Sequence, residues 1–331
     1  MKIIRIIFGV VCSFCIVFTG VFGYKKIGQK QKTLLQQEYK GIYTIWHIDT
    51  FEGGSGSRVQ FLLNVCRKFE KQNTGTIFSV VSHTTTSAEN AMNNGEVPDI
   101  ISYSLGIKIP SMVEINCGCR NKGGKIDDKL YAVPWCRGGY ALISKASDNI
   151  DISKKNFETI IVSQNTFTQP LISLLLSDIT ANEVILKKPL DAYIEFVNSK
   201  NSVFLATQRD LVRLANRGIE INSRPLTSFN DLYQYVSITT KQKQKLMVLQ
   251  QFINYLVSNQ IQSNLNSIDM MSEYTNVLSE NIHISNLQNT SAEKTLSAFT
   301  DNATLLNLQQ LSLRAVNGDL SCKDKIKKML I

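Results

Sequence analysis

The chain has 331 residues, of which 43% are hydrophobic and 19% are charged, so it can form one large or two ordinary globular domains and is not a disordered segment. The formal charge is +9, but the lysines and arginines are scattered and do not alternate with aromatic residues. That distribution lacks the basic stripe of a nucleic-acid-binding surface, and we expect no nucleic-acid partner.

The N-terminus predicts export. Lys2 and Arg5 precede an uncharged apolar run over residues 6–23. This run matches a secretory signal peptide, and it is about as long as the ~20 residues of a membrane-spanning helix. The small residue Gly23 suits a cleavage site, so cleavage and retention as a membrane anchor both stay open. The polar residues 24–40 are expected to form a tether.

The first part of the domain predicts an α/β unit. An apolar strand over residues 42–48 leads through a glycine-rich turn into a helix over residues 57–72. A second strand over residues 76–82, a helix over 88–93 and a third strand over 97–104 follow. Strands and helices that alternate at this spacing indicate a parallel sheet.

The remaining chain predicts a second α/β unit and a helical C-terminus. Strands over residues 130–135 and 139–144 meet at a kink, where proline and glycine suit a hinge. The elements expected after the hinge are a helix over 189–198, a strand over 203–206, a helix over 208–217, a long helix over 242–258 and an amphipathic helical segment over 291–331.

Five cysteines follow residue 23, which is not a paired disulfide framework. Cys117, Cys119 and Cys136 can supply one bridge near a loop, and the sequence leaves their state open. Cys66 lies on the apolar face of the first helix, where packing is the expected role. The three histidines are far apart in sequence, so we predict no metal site and no cofactor.

Several segments, in this order along the chain, resemble an extracellular solute-binding protein of an ABC importer, of the sugar-binding type. They span roughly residues 40–280. The matching segments are WHIDTFEGGSGSRVQFL (46–62), FEKQNTG (69–75), GEVPDIISYS (95–104), YAVPWCRGGYALIS (131–144), FLATQRDLVRL (204–214), DLYQYVSI (231–238) and QQFINYLVSNQIQSNL (250–265). The lipobox cysteine of anchored members is absent.

The resemblance implies a two-lobe α/β fold of the periplasmic-binding-protein-like type II, with a hinge and a ligand cleft between the lobes. It places residues 41–136 and about 240–331 in lobe 1, and residues 137–239 in lobe 2.

The turn after the first strand is the first candidate for the cleft. A glycine-rich turn at a helix N-terminus presents backbone N–H groups and hydroxyls to a ligand. The acid at Glu52 would repel an anion, which favours a neutral polyol or sugar. The alternative is a plain strand–helix connection with Ser57 as the N-cap. The candidate ligand-binding residues here are Glu52, Gly53, Gly54, Ser55, Ser57 and Arg58.

Further candidates come from the strand ends, the hinge and the second unit. Serines at the carboxyl end of a strand lie where open α/β sheets bind ligands, and Trp135 offers a flat face for stacking on a sugar. Core packing is the alternative for Trp135 and Trp46. An exposed ion pair is the alternative for Arg209 and Asp210. The candidates in this group are Ser102, Ser104, Trp135, Arg137, Tyr140, Arg209 and Asp210.

Sequence and resemblance together predict an exported, monomeric receptor rather than an enzyme. It would capture a small polar ligand, preferably a carbohydrate, on the extracellular face of the membrane and deliver it to the permease subunits of an ABC transporter. A membrane-anchored ligand sensor with a signalling partner fits the same features. An exported hydrolase is disfavoured, because no nucleophile-elbow, zinc-protease or phosphate-loop motif is present.

Overall fold

The predicted alternation of strands and helices is present in the computed structural model, which describes residues 40–119, 121–275 and 277–331. The predicted export segment over residues 1–23, and the tether except for its last residue, lie outside this part of the chain. None of the described helices is long and apolar enough to cross a membrane. Both sheets below belong to one unit, Lys40–Ile331.

The first sheet has five strands: β1 (Gly41–Ile48), β2 (Thr76–His83), β3 (Ile100–Tyr103), β6 (Val133–Arg137) and β12 (Tyr233–Ile238). Their order is β2–β1–β3–β12–β6. β1 pairs in parallel with β2 and β3, whereas β12 runs antiparallel to β3 and β6. We call this sheet and the helices packed on it lobe 1.

The helices associated with lobe 1 are α1 (Arg58–Gln72), α2 (Thr85–Asn93), α6 (Lys243–Leu256) and α7 (Asn259–Gln262), and α7 continues into a 3-10 turn over Ser263–Ile268. α1 begins at Ser57, whose side chain accepts the N–H of Gln60. Its apolar face reaches Phe69, whose ring lies 5.4 Å from Phe252 of α6, and Phe252 in turn lies 4.4 Å from Phe78 of β2. This aromatic cluster fixes α1 and α6 on the sheet.

The second sheet, lobe 2, contains β7 (Tyr140–Lys145), β8 (Asn156–Ser163), β9 (Thr180–Lys187), β10 (Val203–Thr207) and β11 (Ile221–Pro225) in the order β11–β7–β10–β8–β9. Its helices are α3 (Pro170–Leu176), α4 (Pro189–Asn198) and α5 (Gln208–Asn216). β8 pairs in parallel with β9 and β10, so three strands end at the same edge. Phe196 of α4 packs 5.2 Å from Phe204 of β10 in the core.

The C-terminal helices are α8 (Ile282–Gln288), α9 (Asn302–Val316) and α10 (Leu320–Met329), and a short hairpin, β4 (Lys125–Ile126) with β5 (Lys129–Leu130), precedes β6. The predicted helical character of residues 291–331 is thus confirmed for α9 and α10. Leu305 of α9 shares one core cluster with Ile172 of α3 and with Trp46 of β1. α9 therefore packs against elements of both lobes.

The division between the lobes differs from the expectation at α8 and at β12. Ile284 and Leu287 of α8, in the segment that the sequence analysis assigns to lobe 1, belong to the core cluster of lobe 2. The sequence analysis assigns residues 137–239 to lobe 2, but β12 lies in the first sheet between β3 and β6. All six of its residues are buried, as expected for a central strand that has neighbours on both edges. The chain therefore returns to lobe 1 before β12, and not after it.

The kink predicted over residues 134–138, with Pro134 and the Gly138–Gly139 pair as hinge residues, is present at the glycines and not at Pro134. Pro134 lies inside β6, an edge strand of its sheet, where proline is tolerated, and the register shift against β12 falls beside it. The chain crosses between the sheets at Gly138 and Gly139, which lie between β6 and β7. A Cβ atom at Gly138 would lie 2.3 Å from Oε1 of Gln208, so any other residue here would displace the Gln208 amide.

Candidate functional site

A buried hydrogen-bond network lies at the carboxyl end of β1 and β3. The Oγ atom of Ser102 accepts the indole N–H of Trp135 at 3.0 Å and an amide N–H of Gln234 at 3.2 Å. Its own proton therefore goes to Nδ1 of His47, 3.0 Å away. His47 is then the neutral tautomer with its proton on Nε2, which donates to Asp49 at 2.9 Å. The network uses the full hydrogen-bonding capacity of Ser102.

Arg58 joins this network to the candidate turn. Its side chain is 2% exposed, and its guanidinium lies 2.6 Å from Oδ1 of Asp49 and covers the ring of Phe51 at 4.2 Å. Burial acts to raise the pKa of Asp49, but the hydrogen bond from His47 and the charge of Arg58 outweigh it and lower that pKa. Nη1 of Arg58 is buried without a hydrogen-bond partner. Nη1 carries two N–H donors, which are thus left for a ligand or a water molecule.

The glycines of the candidate turn allow close packing. A Cβ atom at Gly54 would lie 1.9 Å from the carbonyl oxygen of Ile268, and one at Gly56 would lie 2.5 Å from the Ile268 side chain. The Gly54 N–H donates to the sulfur of Met270 at 3.1 Å, and Ser55 donates to Asp269. The turn therefore packs against the 3-10 turn of its own lobe, and the Gly54 N–H is already used.

Lobe 1 and lobe 2 are in direct contact at this turn, along a surface that we call the interlobe seam. Arg213 of α5 donates to both carboxylate oxygens of Glu52, at 3.0 and 2.8 Å. Arg209 donates to the carbonyl oxygen of Gly54 at 2.6 Å, and Gln208 donates to that of Glu52 at 3.1 Å. At the other end of the seam, Asn165 donates to the carbonyl oxygen of Thr50 at 3.0 Å. The seam is formed by these residues.

The seam encloses a void of only about 10 Å³, which is room for about one water molecule. Small-molecule sites usually enclose about 300–1,000 Å³. The lobes must therefore separate before this surface can hold a sugar. The void is lined by Phe51, Glu52, Ser163, Asn165, Thr168, Pro189, Thr207 and Leu232.

The candidate residues at the hinge are buried and bonded to the protein. Arg137 donates to the carbonyl oxygens of Gln288 and Thr290 at 3.2 and 2.9 Å, which ties β6 to the chain after α8. The Tyr140 hydroxyl donates to Oδ1 of Asp231 at 2.7 Å. These contacts fix the backbone on both sides of Gly138 and Gly139, where the chain passes from lobe 1 to lobe 2.

Asp231 should make stability depend on pH. It is fully buried, and burial raises its pKa to about 6 although Tyr140 and the Gln169 N–H donate to it. Because this pKa is above the unfolded value of about 3.9, the protonated form of Asp231 stabilises the folded protein. This stabilisation is complete only below the unfolded pKa, and it is lost as the pH rises through about 6. Relative to Asp231→Asn, the wild type should lose about 2 kcal/mol of unfolding free energy between pH 4 and pH 7. Urea unfolding of both proteins across this range measures the difference.

The exposed residue Asp151 provides the control. Hydrogen bonds from Ser153 lower its pKa, so an Asp151→Asn comparison should show no such loss as the pH rises. If the unfolding free energies of wild type and Asp231→Asn differ by a constant amount from pH 4 to pH 7, Asp231 is not the source of the pH dependence.

The structure brings together part of the predicted site. Glu52, Gly54 and Arg209 meet at the seam, and Gly53 packs on Arg58. Ser57 caps α1, and Asp210 accepts the N–H and hydroxyl of Thr207 in the capping box of α5. Ser102, Ser104, Trp135, Arg137 and Tyr140 are buried behind the seam. Ligand binding by these residues stays a prediction.

Sequence reasoning missed three residues of the seam. Arg213 follows Arg209 by four residues, which places both on one face of α5, so helical spacing was an available signal. Gln208 immediately precedes Arg209, and a single neutral amide at a helix start carries no sequence signal for a contact between lobes. Asn165 follows β8. The sequence analysis does not predict this strand, so it gives no position for Asn165 in the fold.

Comparison with known proteins gives structural neighbours only. No protein-family model matches the chain, and no curated protein sequence matches it. The GacH receptor of Streptomyces glaucescens, solved unliganded and with acarbose, is similar over 88% of this chain and 99% of its own, with 11% identity and a TM-score of 0.56. The MalE maltose/maltodextrin-binding domain of Bdellovibrio bacteriovorus, bound to maltotriose, covers 87% and 97%, with 12% identity and a TM-score of 0.51.

A third neighbour is described as a two-component system protein that mediates signal transduction. It covers 82% of this chain and 100% of its own, with 15% identity and a TM-score of 0.54. At these identities the likeness defines the fold. The predicted fold class is therefore confirmed: the chain has the two-lobe α/β architecture of solute-binding proteins.

Proposed function

We propose that this protein is a receptor that captures a small polar solute between its lobes. The observation that carries the proposal is the interlobe seam, where polar groups of both lobes meet at one surface and must separate to admit a ligand. Arg58, which has one unpartnered buried nitrogen, Nη1, covers the ring of Phe51, a residue that lines the seam's void. In two-lobe proteins the lobes open, a ligand enters, and the lobes close around it. The polar groups that bond to each other across the seam would then bond to the ligand.

Carbohydrate is the ligand class that we propose. Two neighbours of the same fold were solved with acarbose or maltotriose, and amide and guanidinium donors are suited to sugar hydroxyls. The export segment over residues 6–23 supports a location outside the cytoplasm. We propose that the receptor is a monomer without catalytic activity and that it delivers its ligand to the permease subunits of an ABC transporter.

A thermal-shift screen tests ligand capture. Neutral sugars, polyols, amino acids and phosphate would be added to the purified protein, and unfolding would be followed by fluorescence. A ligand at 100 times its dissociation constant stabilises the folded protein by about 2.7 kcal/mol, which raises the melting temperature by several degrees. Absence of any shift from sugars at millimolar concentration would contradict a carbohydrate receptor.

A ligand sensor is the second candidate, because one neighbour is described as a two-component protein. Cells that carry or lack the gene would be supplied with the ligand from the screen. Uptake that depends on the protein supports transport, whereas a ligand-dependent transcriptional response with unchanged uptake supports sensing.

A further inference from the structure

A groove lies outside the carboxyl ends of β8 and β9, next to the interlobe seam. Its volume is about 440 Å³, and it shares Asn165 and Pro189 with the small void in the seam. In an open α/β sheet this edge is where ligands bind. None of the residues singled out in the sequence analysis lines the groove.

Two features of the groove favour an anionic group. Lys188, which is exposed, lines the groove immediately before α4, a helix of ten residues. No side chain caps that helix, so the N–H groups of its first turn lack a side-chain acceptor. The helix dipole adds positive potential at the same point. Lys187 also lines the groove, but its ammonium is 2.8 Å from Glu195 and is neutralised by it.

Two further groups favour a ligand that carries hydroxyls. Ser163, the last residue of β8, is 2% exposed, and its hydroxyl borders the void without a hydrogen-bond partner. Oε1 of Gln164, which lines the groove, is buried and also has no partner. A buried polar atom without a partner costs about 1–3 kcal/mol. A ligand hydroxyl would remove that cost.

The loop that carries these groups is held in position from α9. Nε2 of Gln309 donates to the carbonyl oxygens of Asn165, Thr166 and Thr168 at 2.8, 3.1 and 3.2 Å. One side chain thus fixes the path of the chain between β8 and α3. The groove is therefore formed before any ligand binds, which reduces the entropy cost of binding.

We propose that this groove binds the acidic group of an anionic carbohydrate, either a sugar carboxylate or a sugar phosphate. The acid group lies against Lys188 and the first turn of α4. The sugar ring extends from the groove into the opened seam, where its hydroxyls pair with Gln164 and with Ser163, which lines the void beside Glu52 of lobe 1. This inference rests on the proposed receptor function and narrows its ligand class. Asp191, an exposed acid in the first turn of α4, opposes the anion and limits its affinity.

Isothermal titration calorimetry with D-glucuronate, D-glucose 6-phosphate, D-glucose and inorganic phosphate tests the proposal. At least one of the two acidic sugars should bind more tightly than glucose, with an affinity that falls as salt is added. A preference between glucuronate and glucose 6-phosphate identifies carboxylate or phosphate as the acid group. Inorganic phosphate should bind more weakly than the preferred sugar, because it lacks the hydroxyls that pair with Gln164 and Ser163.

Three variants distinguish this site from general electrostatics. Lys188→Gln should weaken binding of the acidic sugar about 3- to 10-fold, and Asp191→Asn should strengthen it about 2- to 5-fold. Lys200→Gln makes the same charge change at an exposed position just beyond the C-terminal end of α4, and it should have no effect.

Tight binding of glucose with no preference for the acidic sugars, or equal affinities of Lys188→Gln and Lys200→Gln, would overturn the anionic site and leave a receptor for neutral carbohydrates. If none of the four compounds binds, the anionic site is likewise overturned. In that case the receptor function is decided separately by the broader thermal-shift screen.

Discussion

Replacing Trp135 with alanine should lower the free energy of unfolding by about 3–5 kcal/mol, the usual cost of truncating a fully buried tryptophan. Trp135 has no exposed surface, stacks on Phe61 with ring centroids 5.8 Å apart, and donates its indole N–H to Ser102. The truncation leaves a cavity and removes one donor from the His47–Ser102 network. Equilibrium unfolding in urea, with the midpoint and slope compared to wild type, measures the loss.

Trp135→Phe is the matched control, because it keeps an aromatic ring but removes the N–H donor and the five-membered ring that carries it. We expect it to cost about 1–2 kcal/mol. The pair of variants also tests the role predicted from the sequence. If Trp135 served mainly to stack on a ligand, both variants would unfold like wild type and Trp135→Ala would lose only binding.

Replacing Arg209 and Arg213 together with methionine should open the interlobe seam. The substitution removes the donors to the Gly54 carbonyl oxygen and to the Glu52 carboxylate and keeps most of the aliphatic length. Because both contacts are partly exposed, we expect the free energy that favours the closed arrangement of the lobes to fall by about 1–2 kcal/mol. This change shifts the ratio of open to closed molecules about 5- to 30-fold. Small-angle X-ray scattering would record a larger radius of gyration.

The control for charge is Arg217→Met with Arg224→Met. Arg224 bonds to carbonyl oxygens of residues 152–154, and Arg217 lies over the Tyr193 ring, so these contacts stay within lobe 2. This double variant makes the same change in charge and should scatter like wild type. Equal radii for both double variants would show that the seam contacts do not hold the lobes together.

The elements that sequence predicts well are those that have local signals. α1 has Ser57 as its N-cap and Phe61 to Phe69 on one face, and α4 begins at Pro189 in the position that proline favours. β8 and β9 were not predicted individually. The polar residues Asn156, Glu158 and Glu183 interrupt their apolar pattern, and only pairing with each other identifies them as strands.

Only part of the candidate site is predictable from the sequence. The reason is that position in the chain is a weak guide to contact in space. The turn at Glu52 and the start of α5 at Arg209 were both identified, and they do meet. The reason for the glycines was not predictable, because their neighbour is Ile268, more than 200 residues away. Whether Trp135 faced a ligand or the core depended on the position of Phe61 and Ser102 around it.

A crystal structure with the ligand that gives the largest thermal shift tests the central claim most directly. The account predicts that the ligand lies between the lobes and contacts groups from both sides of the seam, with the Arg213–Glu52 and Arg209–Gly54 contacts broken or rearranged around it. A ligand bound on another surface, with those contacts unchanged from their present distances of 2.6–3.0 Å, would contradict it.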